Sequence, residues 1–269
     1  MAKDNGQTDL ELKQKGQVAT TQFESFEGTG FEEVTTEDLA IPFIRVLAQL
    51  SPQVNKRDGA YVEGAEAGHI YNTVQNEVYN GEDGISVIPC YYARKYVEWT
   101  PREKGGGYIQ SYATTDPIIK TTVKNEQGQD ILPDTGNILS NTSHFFVLHL
   151  HKTLGVQKGL ITMTSTQLKK GRKWLTLAQG FTGKKQDGSI MQLPLMSQIY
   201  KLKTKEEKND KGSWFGWDIS WEREINLSDS NDQKMFDMGL QFSKSIKSGE
   251  VEVKSEAPEP VKENDNSVM

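Results

Sequence analysis

The chain has little cysteine and no long apolar run. Cys90 is the single cysteine among 269 residues, so an intramolecular disulfide is impossible and a zinc site built from thiolates is strongly disfavoured. No segment approaches the roughly 20 apolar residues that a membrane helix needs. The N-terminal residues also lack the apolar core of a secretory signal. We therefore expect a cytoplasmic protein with no membrane partner.

The familiar sequence motifs of enzymes are missing as well. The chain has no G-x-G-x-x-G or G-x-x-x-x-G-K-[ST] phosphate loop, no G-x-S-x-G elbow and no H-E-x-x-H zinc motif. Cys90 lies in an apolar strand without an evident histidine partner, which favours a structural thiol over a nucleophile. His149 and His151 share one face of a strand, but His144 falls on the other, so a third metal ligand is lacking. We predict that the protein is not an enzyme and has no catalytic residues, metal site or cofactor.

Acidic residues are concentrated at the two ends of the chain. Residues 1–40 hold three Lys/Arg and nine Asp/Glu, and residues 249–269 hold two and six, which leaves a net charge of +4 for residues 41–248. Polar composition without sustained periodicity predicts disordered acidic segments at 1–35 and 249–269, around a single β-rich domain at 36–248. The tail is either a solubilising extension or an interaction segment that occupies a basic groove when no polyanion is bound.

Strand-like patterns dominate the middle of the chain. The fold class that we expect is α+β and mainly β, an OB-fold-like antiparallel barrel with added helices. Pro89, inside a predicted strand, indicates an edge or a bulge. The predicted elements are a short helix from Pro42 to residue 48, strands at 84–96, 143–152, 159–164, 197–204 and 213–222, a helix at 165–178 interrupted at Gly171, a charged turn at 205–212, and a helix at 229–246 capped by Ser228.

A first cluster combines aromatic and basic side chains within residues 91–112. Strand alternation places Tyr92, Arg94 and Tyr96 on one face, with Trp99 on the other. Single-stranded nucleic acid needs this combination, because bases stack on aromatic rings while Lys and Arg contact the phosphates. The alternative is an ordinary half-buried barrel strand, in which Tyr and Trp are common.

A second cluster is strongly basic. Residues 165–185 contain six Lys/Arg, no Asp or Glu, and the aromatic residues Trp174 and Phe181. A solvated helix face usually mixes its charges, so this composition indicates a binding surface for a polyanion. The alternative is a basic face that neutralises the acidic ends of the same chain.

A third cluster, the aromatic run at 214–221, is expected to pack in the core, with Trp217 and Trp221 on the same face of a strand. Alternate lysines from 201 to 205 on the preceding strand form a basic stripe and add modestly to the case for nucleic acid.

The layout resembles the single-stranded DNA-binding proteins of tailed bacteriophages, which share a strand-rich core with interleaved Tyr/Trp and Lys/Arg and an acidic tail. The phrases IPFIRVLAQLSPQ, AGHIYNT, VEWTPREKGGG and STQLKKGRKW are also similar to phage proteins of replication modules. The similarity covers roughly residues 36–247. It implies an OB-fold-like barrel, sequence-independent binding of single strands inside the bacterial host, and contact of the acidic tail with replication proteins. The tail departs from the familiar pattern, because it ends NDNSVM rather than in a run of acids with a terminal aromatic residue.

The leading hypothesis is a non-enzymatic single-stranded DNA-binding protein of phage-like replication or recombination. One alternative is a virion or assembly protein that acts through protein–protein contacts, and another is a nuclease or recombinase accessory enzyme, whose Mg²⁺-binding carboxylates are not evident. The preference for DNA over RNA, the footprint and the oligomeric state stay open, with a dimer among the options. The candidate nucleic-acid-binding residues are Tyr92, Arg94, Tyr96, Trp99, Arg102, Lys169, Lys170, Arg172, Lys173, Trp174, Lys184 and Lys185.

Overall fold

The chain divides into two units, Met1–Leu39 and Ala40–Met269. The computed structural model describes residues 24–26, 29–34, 39–210 and 212–249. In the first unit, a 3-10 turn at Glu24–Phe26 precedes a second turn, in which the Gly30 amide donates to Glu32 Oε2 at 2.8 Å. The predicted disorder of the two acidic ends falls largely outside the described residues.

The described part of the second unit contains thirteen strands and two α-helices. The strands are β1 (Ile44–Val46), β2 (Ile70–Asn72), β3 (Glu77–Tyr79), β4 (Ile85–Trp99), β5 (Tyr108–Ala113), β6 (Val123–Lys124), β7 (Asp130–Ile131), β8 (Ile138–His151), β9 (Gly155–Thr164), β10 (Thr182–Lys184), β11 (Ile190–Gln192), β12 (Gln198–Asn209) and β13 (Gly212–Glu224). The helices are α1 (Leu168–Gln179) and α2 (Ser230–Lys247).

The largest sheet is antiparallel and curls into a half-barrel. Its strand order is β13-β12-β4-β8-β7-β6, with β5 paired to β4 and β9 paired to β8. The start of β4 pairs with β12 and its end with β5, while its other edge pairs with β8 along most of its length. The β4–β8 register shifts between Pro89 and Tyr91. Of the edge or bulge that the proline indicated, the structure has the bulge, since a proline nitrogen has no proton for the ladder.

A small antiparallel sheet of β1, β2 and β3 lies beside the half-barrel. On one side, the amide of Leu160 on β9 donates to the carbonyl of Pro42 at 2.9 Å. On the other side, the amide of Thr204 on β12 donates to the carbonyl of Gly81, also at 2.9 Å. Backbone hydrogen bonds therefore connect the segment that carries the small sheet to two separate strands of the half-barrel.

The helix predicted from Pro42 to residue 48 is wrong. Residues 44–46 form β1 instead and pair with β2 in antiparallel register. The spacing of apolar residues in so short a run fits a strand as well as a helix. Pairing with β2 and complete burial of Ile44 in the core decide in favour of the strand.

Two cores lie on opposite faces of the half-barrel. Helix α1 and the small sheet cover one face, called here the first face, whose core includes Val87, Phe145, Trp174, Tyr200 and Trp217. Helix α2 covers the opposite, second face, whose core includes Ile88, Cys90, Phe146, Leu148 and Phe242. The α+β class is confirmed, whereas this strand order does not confirm the OB fold, a five-stranded Greek-key barrel.

Several local predictions need correction. Helix α1 is continuous through Gly171. This glycine is buried, and a Cβ at its position would lie only 3.1 Å from a ring carbon of Phe145, so the close packing of the helix on the sheet explains the glycine. Residues 205–209 and 212 extend the β12–β13 hairpin instead of forming a long charged turn. The cap of α2 is Asp229, not Ser228, since its carboxylate accepts the amides of the first helical turn. Within the described ranges, neither helix is long and apolar enough to cross a membrane.

Candidate nucleic-acid interface

Tyr92, Arg94 and Tyr96 lie on the first face of the half-barrel. The bulge after Pro89 inverts the alternation of β4, so that even-numbered side chains beyond it point to the face that Val87 occupies before it. The bulge thus brings the aromatic and basic segment of β4 to the same side of the sheet as α1.

Tyr92 is anchored at the edge of the first core. Its ring packs against Phe145 of the neighbouring strand, with centroids 5.1 Å apart. Its hydroxyl shares a hydrogen bond with the hydroxyl of Ser143 at 3.1 Å. The ring is half-buried, so part of its surface stays accessible to a ligand.

Arg94 is the exposed member of the group. Its Nε donates to Asn141 Oδ1 at 2.9 Å, and its guanidinium carbon lies 5.9 Å from the centre of the Tyr96 ring. These contacts position the guanidinium, while its terminal nitrogens have no hydrogen-bond partner among the described residues. A guanidinium beside an aromatic ring suits a ligand in which phosphates alternate with flat bases.

Trp99 and Arg102 do not extend this group. Trp99 is only 6% exposed, and its ring packs edge-on against Tyr108 with centroids 5.9 Å apart. A base cannot stack on a buried indole, so we remove Trp99 from the candidate residues. Arg102 begins a 3-10 turn, Arg102–Lys104, and its side chain lies outside the described part of the structure.

The basic residues of α1 separate into two groups. Lys169, Arg172 and Lys173 are exposed and recur at spacings of three and four, which places them along the outer side of the helix. In the described part of the chain, none of the three forms an ion pair. Lys170 instead pairs with the carboxylate of Glu207 on β12. Three of the four cations therefore remain for a polyanion.

Trp174 belongs to the core rather than to the interface. It is 1% exposed, with its indole stacked on Phe145 and edge-on to Tyr200. In this amphipathic helix the aromatic residue anchors the buried side, so we remove Trp174 from the candidate residues.

Phe145 connects the two clusters that the sequence singled out. Tyr92 packs on it from β4, and Trp174 of α1 stacks on it with ring centroids 4.4 Å apart. The segments that carry Arg94 and the α1 cations are distant in sequence, yet both belong to the first face. We call Arg94, Lys169, Arg172 and Lys173 the cationic set.

Lys184 and Lys185 lie on the hairpin of β10 and β11, which follows the C-terminal end of α1. Both side chains are exposed. The side-chain amide of Gln192 on β11 donates to the carbonyl of Phe181 at 3.0 Å and joins the hairpin to the end of the helix. The hairpin therefore adds two cations at that end.

A shallow groove between α1 and β13 was not predicted. Its cavity of about 70 Å³ is lined by Lys173 and Leu177 from the helix, by Trp217 and Ile219 from the strand, and by Lys205 of β12. The groove arises because α1 packs along an edge strand of the half-barrel.

Trp221 continues the same face of β13 beyond the groove. The prediction of core packing is confirmed for Trp217, which is 2% exposed, but it is wrong for Trp221, which is 48% exposed. The indole of Trp221 donates to Gln198 Oε1 at 2.8 Å, and its ring lies beside that of Phe181 at 5.9 Å. The charged run that follows Trp221 in the sequence was the available signal that the buried stretch ends there.

The side chains of Cys90, His149 and His151 are constrained by burial or by local contacts. Burial raises the pKa of the Cys90 thiol to about 12, so the thiolate is scarce at neutral pH. His151 Nε2 lies 2.9 Å from Glu77 Oε2, and the neighbouring His149 is buried, which lowers its pKa to about 4. In the ranges that the structure describes, no three His, Cys, Asp or Glu side chains are arranged to hold a metal ion.

Comparison with known protein families identifies the family to which this chain belongs. The model of the Pam3 phage gp34-like protein family matches residues 12–252. The chain belongs to this family. The match confirms the resemblance as far as a phage protein, and the family description names no activity.

The gp34-like chain matches no curated protein and no solved structure in the corresponding searches.

Proposed function

We propose that this gp34-like protein binds single-stranded DNA without sequence preference and acts in phage DNA replication or recombination. Bases stack on the accessible rings of Tyr92 and Tyr96, while the cationic set contacts phosphates. In this proposal the protein is a binding protein rather than an enzyme, works in the cytoplasm of the infected bacterium, and uses its acidic tail to reach replication proteins.

The observation that supports the proposal best is the joint placement of the two clusters on the first face. Phe145 packs against both Tyr92 and Trp174, so the helix that carries the exposed cations and the strand that carries the Arg94–Tyr96 pair share one core. A surface made only for solubility would mix its charges, whereas α1 contains no acidic residue. Aromatic faces beside unpaired cations are what a single strand requires.

The proposed surface also favours single strands over duplexes. Stacking on Tyr92 or Tyr96 needs a base with a free face, and the bases of a duplex already stack on one another. Phosphate contacts alone do not discriminate in this way, because both forms present phosphates. We therefore expect duplex DNA to compete poorly.

A charge-reversal experiment tests the proposal. K169E/R172E/K173E should lower the affinity for an oligo-dT by roughly 100-fold or more at low salt, since three phosphate contacts become repulsive. The matched control K234E/K244E/K247E makes the same charge change on α2, on the second face, where the lysines are also exposed. Melting curves of both variants check the fold.

An equal loss of affinity for oligo-dT in both variants would show that overall charge determines binding, and it would contradict the proposed surface. If the wild-type protein binds no DNA and forms large stable assemblies, the virion or assembly role takes its place.

A further inference from the structure

We propose that Trp221 stacks on an unpaired base and that the groove between α1 and β13 receives the same strand, running from Trp221 toward Lys173. This inference rests on the proposed function and extends it. It assigns to the strand a second contact region, on the side of α1 that faces β13.

Trp221 is held ready for stacking. Its exposed ring is fixed at one end by the hydrogen bond to Gln198, a residue that is 2% exposed, and at one side by the ring of Phe181. An indole with a buried acceptor does not rotate freely on the surface. A pre-positioned ring loses little conformational entropy when a base stacks on it, which favours binding.

The groove continues from this ring along the strand. Trp217, Ile219 and Trp221 occupy alternate positions on one face of β13. The distance along the strand from residue 217 to residue 221 is about 13 Å. Leu177 of α1, which is 38% exposed, lines the groove with Ile219. The groove therefore has an accessible apolar wall next to the exposed indole.

Three lysines line the other end of the groove, and Lys173 is the one that lacks an ion-pair partner among the described residues. Lys205 pairs with Asp218 at 3.2 Å, and Lys170 pairs with Glu207. Lys173 lines the same groove and forms no ion pair within the described part of the chain. An aromatic ring at one end and an unpaired ammonium at the other fit a ligand in which bases alternate with phosphates.

A peptide strand fits this place less well. An added strand needs a continuous row of free backbone groups along the edge of β13. The amide of Trp217 already donates to the side chain of Gln167 at 3.0 Å, which interrupts that row. Nucleic acid needs only the side chains of the groove.

The test separates stacking from charge. Wild type, W221A and the control L227A, which truncates another exposed apolar residue, are titrated with an oligo-dT and with an abasic oligonucleotide of equal phosphate number. W221A should bind the oligo-dT about 5- to 150-fold more weakly, the range expected for one stacked base, and the abasic strand unchanged. L227A should match wild type on both.

W221F keeps an aromatic face and provides the second measurement. The tryptophan emission of wild type should fall more on addition of oligo-dT than that of W221F, because Trp221 itself is quenched by the stacked base. This comparison decides the matter even if W221A melts too low to be titrated.

Unchanged affinity of W221A for oligo-dT, an equal loss on the abasic strand, or identical quenching of wild type and W221F would each overturn the role of Trp221 and leave the proposed function standing. Failure of the wild-type protein to bind the oligo-dT at low salt would instead contradict the proposed function itself.

Discussion

The indole of Trp174 stacks on the phenyl ring of Phe145, with centroids 4.4 Å apart and ring planes inclined by 18°. This contact fastens α1 to the first face of the half-barrel. The exposed cations of α1 therefore keep a fixed position relative to Arg94.

Removing this indole should cost stability rather than DNA contacts. W174A should lower the free energy of unfolding by about 3–5 kcal/mol, the usual loss for a large buried aromatic residue. Urea denaturation at neutral pH measures the loss. W174F preserves most of the packing and should bind an oligo-dT like wild type. Loss of DNA affinity in a W174F protein of normal stability would return Trp174 to the interface.

The ion pair between Lys170 and Glu207 should lower the affinity for single-stranded DNA. Glu207 neutralises Lys170 and also accepts the indole N–H of Trp214 at 3.2 Å. E207Q keeps an acceptor for that indole and frees the lysine, so affinity for an oligo-dT should rise about two- to five-fold at low salt, with a steeper salt dependence. K170Q/E207Q is the control and should lose the gain. An affinity of E207Q equal to or below wild type would show that Lys170 does not reach the DNA.

Two buried histidines should make the fold sensitive to acid. Burial lowers the pKa of His144 and of His149 to about 4, helped by the nearby charges of Lys95 and His151 respectively. In the unfolded chain both titrate near 6.5, so the unfolded state takes up protons first as pH falls. The free energy of unfolding should therefore be highest above pH 6.5 and fall between pH 6.5 and 4. The expected loss at pH 5 is about 2 kcal/mol per histidine.

Urea denaturation at a series of pH values checks this decline. H149L should remove about half of the loss between pH 7 and pH 5, whatever its stability at pH 7. A wild-type free energy of unfolding that is flat from pH 7 to pH 5 would contradict the assignment of neutral buried histidines.

Gly81 should tolerate no side chain. A Cβ at this position would lie 2.0 Å from Thr204 Oγ1 and 2.1 Å from the carbonyl oxygen of Gly68, where the small sheet meets β12. G81A should therefore lower the free energy of unfolding by about 2 kcal/mol or more. G59A is the matched control, since a Cβ at Gly59 has no atom within 4 Å. Thermal melting compares the two, and equal melting temperatures would show that the junction can yield.

Local sequence signals predicted the parts of the fold that depend on neighbours along the chain. The apolar run around Phe145 predicted β8, the proline in β4 indicated an edge or a bulge, and the three-and-four spacing of Phe242 and its neighbours predicted α2. The segment around Ile44 was mispredicted because its secondary structure depends on pairing with β2, a contact that a short apolar run does not encode.

The sequence predicted which types of residue form the candidate site, but not which individual residues belong to it. The helical spacing of Leu168, Trp174, Leu175 and Ala178 already places Trp174 on the apolar side of α1, where the fold buries it. The exposure of Trp221 follows no such local pattern, because Trp217 on the same face of β13 is buried. The pairing of Lys170 with Glu207 joins residues far apart in sequence, so no local pattern distinguishes Lys170 from Lys173. These choices depend on how α1 packs against the sheet.

The most direct test of single-strand binding is fluorescence anisotropy of a labelled oligo-dT, titrated with the wild-type protein at several salt concentrations and with duplex DNA as competitor. The cationic set predicts tight binding at low salt, a slope of log affinity against log salt of about −3 for four phosphate contacts, and little displacement by duplex. Absence of binding at low salt, or equal competition by duplex, would contradict the proposal that this phage protein binds single-stranded DNA.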